Sequence, residues 1–422
     1  MHNRNHFPLD DLPAFKLKLL GWVSQFSIFC FLDNNNYYSP GNTFECIVAA
    51  GSKASVTLTR QDPFLQLRKF YDNDPGWIFG HLGFELNNGY GKLEDDFAGF
   101  ADGFFFSPLI LIKLTKNELI FELCDSGSEE IFQQIENFNI VVPPAIPLPT
   151  ILQKISRDEY IQTINKIKEH IQRGDCYELN FCQEFFMHTS IDPVSVFKNL
   201  QSISPNPFSA FYRVEENYCL SASPERYLKK TGSELISQPI KGTSKRDVDP
   251  VKDEKNKSYL QNSQKEKSEN VMIVDLVRND MSKICVEASV HVEEIFGLYS
   301  FPQVHQLIST IKGDLPADVH FTDALQATFP MGSMTGAPKL KVLELISRYE
   351  KNNRGLFSGS IGYVTPDQNF DFNVIIRSIF YNRAGKYVSF RAGSGITFYS
   401  DPALEYEECL MKAEAMLNVL GN

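Results

Sequence analysis

The sequence has no Cys-x-x-Cys pair: its eight cysteines (Cys30, Cys46, Cys124, Cys176, Cys182, Cys219, Cys285, Cys409) are scattered through 422 residues. That spacing excludes a zinc ribbon or a small disulfide frame and predicts reduced, mostly buried thiols. No apolar run reaches the ~20 residues of a membrane-spanning helix; the greasiest early stretch, Leu17 to Leu32, contains Ser24, Gln25 and Ser27. Positive charge is also short, with 41 Lys and Arg against 52 Asp and Glu for a net charge of -11. Nucleic acid and acidic membranes are poor partners for such a chain, because phosphate binding is driven by clustered cations. An anionic small molecule stays admissible, since a local site or a bound cation can invert the field. A glycine-rich nucleotide loop, a Gly-x-x-x-x-Gly-Lys-Ser/Thr run and an internal repeat are all missing. The opening Met1-His2-Asn3-Arg4-Asn5-His6 lacks the basic-then-apolar layout of a secretory signal, so a cytoplasmic protein is expected.

What is present is ordinary globular material, 43% hydrophobic and 22% charged. The length suits two or three domains or one large interwoven domain. The clearest punctuation is Val141-Val142-Pro143-Pro144-Ala145-Ile146-Pro147-Leu148-Pro149, whose prolines forbid helix and favour an extended connector. It divides a region at 1–147 from the remainder at 148–422. The first region alternates short Phe, Tyr, Ile and Val segments with turn residues, a β pattern, and residues 103–124 read as two strands around Lys116-Asn117.

After the connector, Ser156 and Glu159 form a capping-box pattern. Ile161, Ile164, Ile167 and Ile171 recur at helical spacing and Gly174 stops the helix. From Cys176 to Met187 the pattern alternates: Tyr177, Leu179 and Phe181 share one face, Glu178 and Asn180 the other. Helices are expected from Glu266 to Met281 and from Pro402 to Leu420, the second with Asp401 as N-cap. Strands are expected at 359–364, 372–381 and 387–396. Residues 241–268, rich in both charge signs, read as a solvated loop. The mixture is α+β.

Four constellations could carry chemistry. Glu266 with Glu269, and Glu405 with Glu408, lie three apart on helices, so each pair can aim two carboxylates at one spot; two such helices suit Mg²⁺, although a solvated helix face is the commoner setting for glutamate. The loop from Phe329 to Lys339, with Gly332, Ser333, Thr335 and Gly336, precedes an amphipathic helix and can offer free N–H groups to a carboxylate; a capped loop-to-helix junction explains it equally. Arg377, followed by Ala392-Gly393-Ser394-Gly395, offers a bidentate carboxylate grip beside a backbone that permits close approach; a salt bridge and a bulge explain the same residues. Ser223-Pro224-Glu225-Arg226 and Pro239-Ile240-Lys241-Gly242-Thr243 pair a candidate acid with a candidate amine. Lys241 could be a nucleophile if desolvation or neighbouring positive charge lowered its pKa from ~10.4 towards ~7–8, and Glu225 a proton donor if its own were raised. An exposed turn lysine is the plainer reading.

These segments, with Gly174-Asp175-Cys176-Tyr177, the run Glu269 to Asp280, Gly332 to Lys339 and Glu405-Tyr406-Glu407-Glu408, resemble in order the chorismate-utilising enzymes. The resemblance covers about Ser156 to Leu420; residues 1–147 are similar only loosely to that family's N-terminal region. It implies a large interwoven domain of stacked antiparallel β-sheets flanked by helices, with residues 148–422 as the chorismate-binding catalytic region. Within the family, Pro-Ile-Lys-Gly-Thr is similar to the branch that aminates chorismate at C4 to 4-amino-4-deoxychorismate, the precursor of para-aminobenzoate and folate. Anthranilate synthases carry Ala in place of Lys241, and isochorismate and salicylate synthases a base Lys in place of Glu178.

The roles implied are Lys241 as covalent nucleophile and Glu225 as acid. Glu269 and Glu408, flanked by Glu266 and Glu405, are implied as Mg²⁺ ligands. Implied substrate contacts are Gly242, Thr243, Thr335, Tyr363, Arg377 and the Gly393-Ser394-Gly395 backbone, with Phe208 and Ser209 lining the pocket. Chorismate and ammonia are the implied reactants, and a separate glutamine amidotransferase subunit the implied partner. Two positions depart from the family pattern: Glu178 stands in place of Gln, and Gln306, beside His305, in place of His. The alternatives are an anthranilate synthase component I and a non-catalytic chorismate-binding protein of the same fold.

Overall fold

A computed structural model describes residues 5–37, 44–87, 96–124, 127–139 and 148–421. The proline connector and the boundary at 147/148 fall largely on residues 140–147, outside the described residues.

Strand alternation builds the architecture. On Ile28–Asp33, Phe29 and Phe31 enter one hydrophobic core while Cys30 enters a second. On Cys46–Leu58, Cys46, Val48 and Ala50 divide from Ile47 and Ala49 in the same way. A strand apolar on both faces must be covered on both. The ladder containing these strands runs, antiparallel throughout, Glu118–Cys124, Gly103–Leu114, Cys46–Leu58, Ile28–Asp33, Phe208–Val214, Asn217–Ser223, Ser378–Asn382, Tyr387–Thr397, Glu178–His188. A second arm leaves Gly103–Leu114 through Ile78–Leu82 and continues Ser360–Val364, Phe370–Asn373, Arg226–Thr231, Glu234–Gln238, Val304–Asp314. Ile240–Lys245 and His291–Ser300 also pair with Val304–Asp314.

The two arms face each other across the second core, where Ala49, Tyr212 and Cys219 of the first meet Phe79, Leu228 and Phe372 of the second. His81 Nδ1 lies 2.9 Å from Tyr212 Oη across that gap. The helices Leu12–Val23, Arg157–Gln172, Pro193–Ile203, Lys339–Tyr349 and Pro402–Gly421 cover the outer face of the first arm. This is the expected α+β arrangement of stacked antiparallel sheets and flanking helices. In both arms, strands from the first 124 residues pair directly with strands from beyond residue 200, as an interwoven domain requires.

Local readings fare well where one physical signal dominates. The strands Gly103–Leu114 and Glu118–Cys124 flank the turn at Lys116-Asn117. Ser156 caps Arg157–Gln172 by accepting from the Glu159 N–H, and Gly174 follows at φ +84°. The reciprocal half of the box is replaced, since Glu159 turns to Lys351 at 2.6 Å. All eight cysteines are free, and six are buried.

Two readings are corrected. Residues 241–268 are ordered secondary structure: the strand Ile240–Lys245, the helix Pro250–Asn262 and the start of the helix Gln264–Ser282. The span 372–381 is two strands, Phe370–Asn373 and Ser378–Asn382, interrupted where Arg377 sits at φ +51°. A side chain rarely adopts that left-handed region without a compensating context.

Candidate active site

The site lies where the last strands of the first arm approach the helix Gln264–Ser282. Glu178–His188 pairs with Tyr387–Thr397 so that Gly395 lies opposite Asn180 and Thr397 opposite Glu178. Leu179 and Phe181 point into the outer core, so Glu178 and Asn180, one residue out of phase, point to the other face. At Gly395 a Cβ would stand 2.8 Å from Glu178 Oε1, 3.1 Å from Lys241 Nζ and 3.4 Å from Glu269 Oε2. The space a side chain would take is the meeting point of the three charged groups.

Lys241 arrives from the second arm. Its backbone carbonyl accepts from Asn270 Nδ2 at 3.4 Å, and Asn270 Oδ1 in turn accepts from Ser309 Oγ at 2.7 Å. Gly242 follows at φ +98°, with Glu266 Oε2 3.1 Å from where its Cβ would be, so any other residue there meets both strain and a carboxylate. Lys241 is 9% exposed and its Nζ donates to Glu178 Oε1 at 2.6 Å. Burial pulls the ammonium down, but the carboxylates of Glu178, Glu269 and Glu225 outweigh it and the net shift is upward. The lowered lysine pKa entertained from the sequence is therefore not what this site produces: a buried carboxylate partner beats desolvation.

Glu225 meets the condition set for a proton donor, a raised carboxyl. Burial pushes its carboxyl up to about 7, against the lowering effects of the Ser333 hydroxyl, the Lys241 charge and the Ile240 N–H. Arg377 lies beside it, lowered to about 10 by burial with Glu225 opposing.

The four helix glutamates come together. Glu405 is 1% and Glu269 6% exposed, so these are not members of a solvated helix face. Burial and the Glu178 charge push Glu269 up to about 8. Burial and Glu408 raise Glu266. For Glu408 burial acts upward, but Lys412 and Lys265 bring it below the ordinary value. Lys412 Nζ donates to Glu408 Oε1 at 2.7 Å and to the Gly393 carbonyl at 3.1 Å. Among the described residues, Glu269 Oε1 and Glu405 Oε2 are buried oxygens without a hydrogen-bond donor, the condition a hard cation relieves. The donor set fits Mg²⁺, yet among the described residues no three such groups already form a closed metal cage.

One cavity, about 840 Å³ including its part open to solvent, is lined by Glu225, Lys241, Gly242, Thr243, Glu266, Glu269, Arg377, Gly393, Gly395 and Glu408, a size suited to a small metabolite. Five expected substrate contacts are elsewhere. Phe208, Ser209 and Tyr363 line a separate cavity with Asp33 and Glu45. The Thr335 hydroxyl is spent on the Met331 and Gly332 carbonyls, both at 3.2 Å, and its neighbours Ser333 and Met334 reach the cavity instead. Ser394 points away, its Oγ 3.4 Å from Tyr160 Oη, as strand alternation dictates between two inward glycines. Gln306 lines the cavity with a buried Oε1 that has no donor among the described residues. His305 is buried on the other side of the strand against Ser300 and Asp253, so it does not stand in for its neighbour.

A protein-family model described as chorismate binding enzyme matches residues 33–418, nearly the whole chain. The chain belongs to the chorismate binding enzyme family. It is 40% identical over 266 residues to aminodeoxychorismate synthase component 1 of Escherichia coli, an alignment covering 63% of this chain and 58% of that protein. The chain thus spans less than two thirds of that relative's length. It is 33% identical to an anthranilate synthase component I-like protein of Synechocystis, over 82% of this chain and 72% of the relative. The crystal structure of anthranilate synthase component I from Streptococcus pneumoniae superposes with a TM-score of 0.77 at 23% identity, covering 90% of this chain and 93% of that one. At that identity it speaks for the fold of this chorismate binding enzyme alone.

Several cavity residues escaped the sequence reading: Asn180, Phe357, Ile376 and Lys412. Lys412 had a signal, four residues after Glu408 on one helix face. Phe357 had none, since it belongs to no periodic element.

Proposed function

We propose that the protein aminates chorismate at C4, taking ammonia and giving 4-amino-4-deoxychorismate. The observation that carries this reading is Lys241 at the cavity wall, donating to Glu178 at 2.6 Å with the raised acid Glu225 lining the same space. The relative named aminodeoxychorismate synthase component 1 supports the choice of reaction.

Lys241 is stored as an ammonium and has no lone pair until it loses a proton, and Glu178 is the acceptor in contact with it. The freed amine bonds to C2, both ring double bonds shift in turn, from C1–C2 to C1–C6 and from C5–C6 to C4–C5, and the C4–O bond breaks. Glu225 delivers its proton to that oxygen, which leaves as water. Ammonia then bonds to C4, the shift reverses, and the C2–N bond to Lys241 breaks, returning the amine. The sum is chorismate plus ammonia giving aminodeoxychorismate plus water, with the enolpyruvyl group retained. Arg377 supplies a positive group for a substrate carboxylate. Glu269 and Glu408, with Glu266 and Glu405 behind them, would hold Mg²⁺, which when bound would neutralise the ring carboxylate and draw electrons from the reacting ring. The ammonia source is a separate glutamine amidotransferase subunit.

Mixing protein with chorismate and Mg²⁺ but no ammonia is expected to trap a covalent adduct on Lys241, visible by peptide mass spectrometry. Full aminodeoxychorismate formation by Lys241→Ala would rule the role out. The relative named anthranilate synthase component I-like motivates a second reading. Fluorescent anthranilate and pyruvate as direct products with ammonium salts would establish it.

A further inference from the structure

The glutamate cluster contains a cation of the protein's own. Lys265 Nζ lies 3.0 Å from Glu405 Oε1, 3.7 Å from Glu408 Oε2 and 3.9 Å from Glu269 Oε1. These carboxylates come from two separate helices, so the ammonium is the group that bridges them. Its fit is poor for a permanent ligand: it hydrogen-bonds Glu405, while Glu269 Oε1 and Glu405 Oε2 stay without donors among the described residues. The other two lysines of the site are pinned. Lys241 is held by Glu178 at 9% side-chain exposure, and Lys412 by Glu408 and the Gly393 carbonyl. Lys265, by contrast with both, has a side chain 35% exposed, on the first turn of its helix, so its long stem can turn outward to water without moving the backbone.

We propose that Lys265 is an exchangeable counter-ion: it neutralises the glutamate cluster in the metal-free protein, and a divalent cation binds by displacing its ammonium into solvent. The inference rests on the reading of the cluster as a Mg²⁺ site. The electrostatics favour the exchange in both directions. Glu269 faces Glu405 and Glu408 across two helices, with Lys412 and Lys241 as the other nearby cations, so repulsion between the helices rises if Lys265 leaves alone. A divalent ion brings twice the charge and can accept the oxygens an ammonium cannot satisfy. Lys265 therefore competes for the site and sets how much free metal is needed to fill it. It acts through the cluster and not on the substrate.

The test uses the whole chain with Mg²⁺ alone, no chorismate present. Isothermal titration calorimetry is expected to give at least tenfold tighter Mg²⁺ binding for Lys265→Met than for the unaltered protein. The metal-free variant should melt at a lower temperature and recover more on adding Mg²⁺. In the unaltered protein, which needs no variant to fold, amine-reactive labelling read by mass spectrometry should show Mg²⁺ speeding modification of Lys265 and leaving Lys412 unchanged. Equal or weaker binding by Lys265→Met, or Mg²⁺ shielding Lys265 from the reagent, overturns the exchange while leaving the metal site standing. If Mg²⁺ binds neither protein, the metal reading itself falls, and this inference with it.

Discussion

At the scale of single residues, the site is a set of charges held against their solvation preference. Glu225 shows this most simply. Its pKa of about 7 in the folded chain exceeds the ordinary value of 4.5, so between those pH values the native state holds a proton that the unfolded chain has released. Stability from this group is complete below about pH 4.5 and is lost as pH rises through 7. In the proposed mechanism this is the proton delivered to the leaving oxygen. Glu225→Gln is therefore expected to lower kcat by roughly 10²–10⁴-fold while raising the melting temperature at alkaline pH, above the titration of Glu225, measured by calorimetry beside the unaltered protein. A variant that loses activity and also melts lower there would contradict the assignment. Gly395→Ala should act by placement alone. Its methyl meets Glu178, Lys241 and Glu269 within 2.8–3.4 Å, and adduct formation on Lys241 should fall at least tenfold with the circular dichroism spectrum unchanged.

Elements were legible in proportion to how much one force shaped them. The helix Arg157–Gln172 carries its cap, its apolar period and its stop in the sequence. Ser156→Ala is expected to cost about 1 kcal/mol in denaturant unfolding and to leave product formation untouched, since this helix end lies away from the cavity. The helix Pro250–Asn262 was unreadable for the opposite reason: Leu260 is its single buried residue, so no hydrophobic period exists to find. The strand Ile240–Lys245 hid behind its own charges, Lys241 and Lys245. Two of the expected substrate contacts lie at a different cavity for a related reason. Tyr363 sits on the strand expected at 359–364 and Phe208 on one the sequence reading did not name, and which of two cavities a face borders depends on how the two arms stack. Lys265 looked like one more lysine in a charge-rich run, because its partners Glu405 and Glu408 belong to the last helix, far along the chain.

For the whole molecule, the decisive feature is that strands from the N-terminal region complete both arms. A fragment of residues 148–422 retains every proposed catalytic group. It would expose the edge of Phe208–Val214, normally paired with Ile28–Asp33, and of Ser360–Val364, normally paired with Ile78–Leu82. It is expected to aggregate or to show no cooperative melting transition by circular dichroism, and a monomeric, cooperatively melting fragment would refute this. Beside the cavity Arg354 is fully buried, binds Glu350 at 2.6 Å and donates to the Asn180 and Met334 carbonyls. Arg354→Met leaves a buried glutamate without its partner and should cost about 3–5 kcal/mol by denaturant titration. The interleaving also has a history in time. Phe31 pairs with Phe211, and Gly80 with Gly362, so each early strand is made long before the strand it needs. At ribosomal speeds of about 5–20 residues per second, the strand at Gly80 waits on the order of tens of seconds for its partner. The nascent chain therefore carries open, strongly apolar strand edges through most of its own synthesis, and its yield in the cell depends on what shelters them.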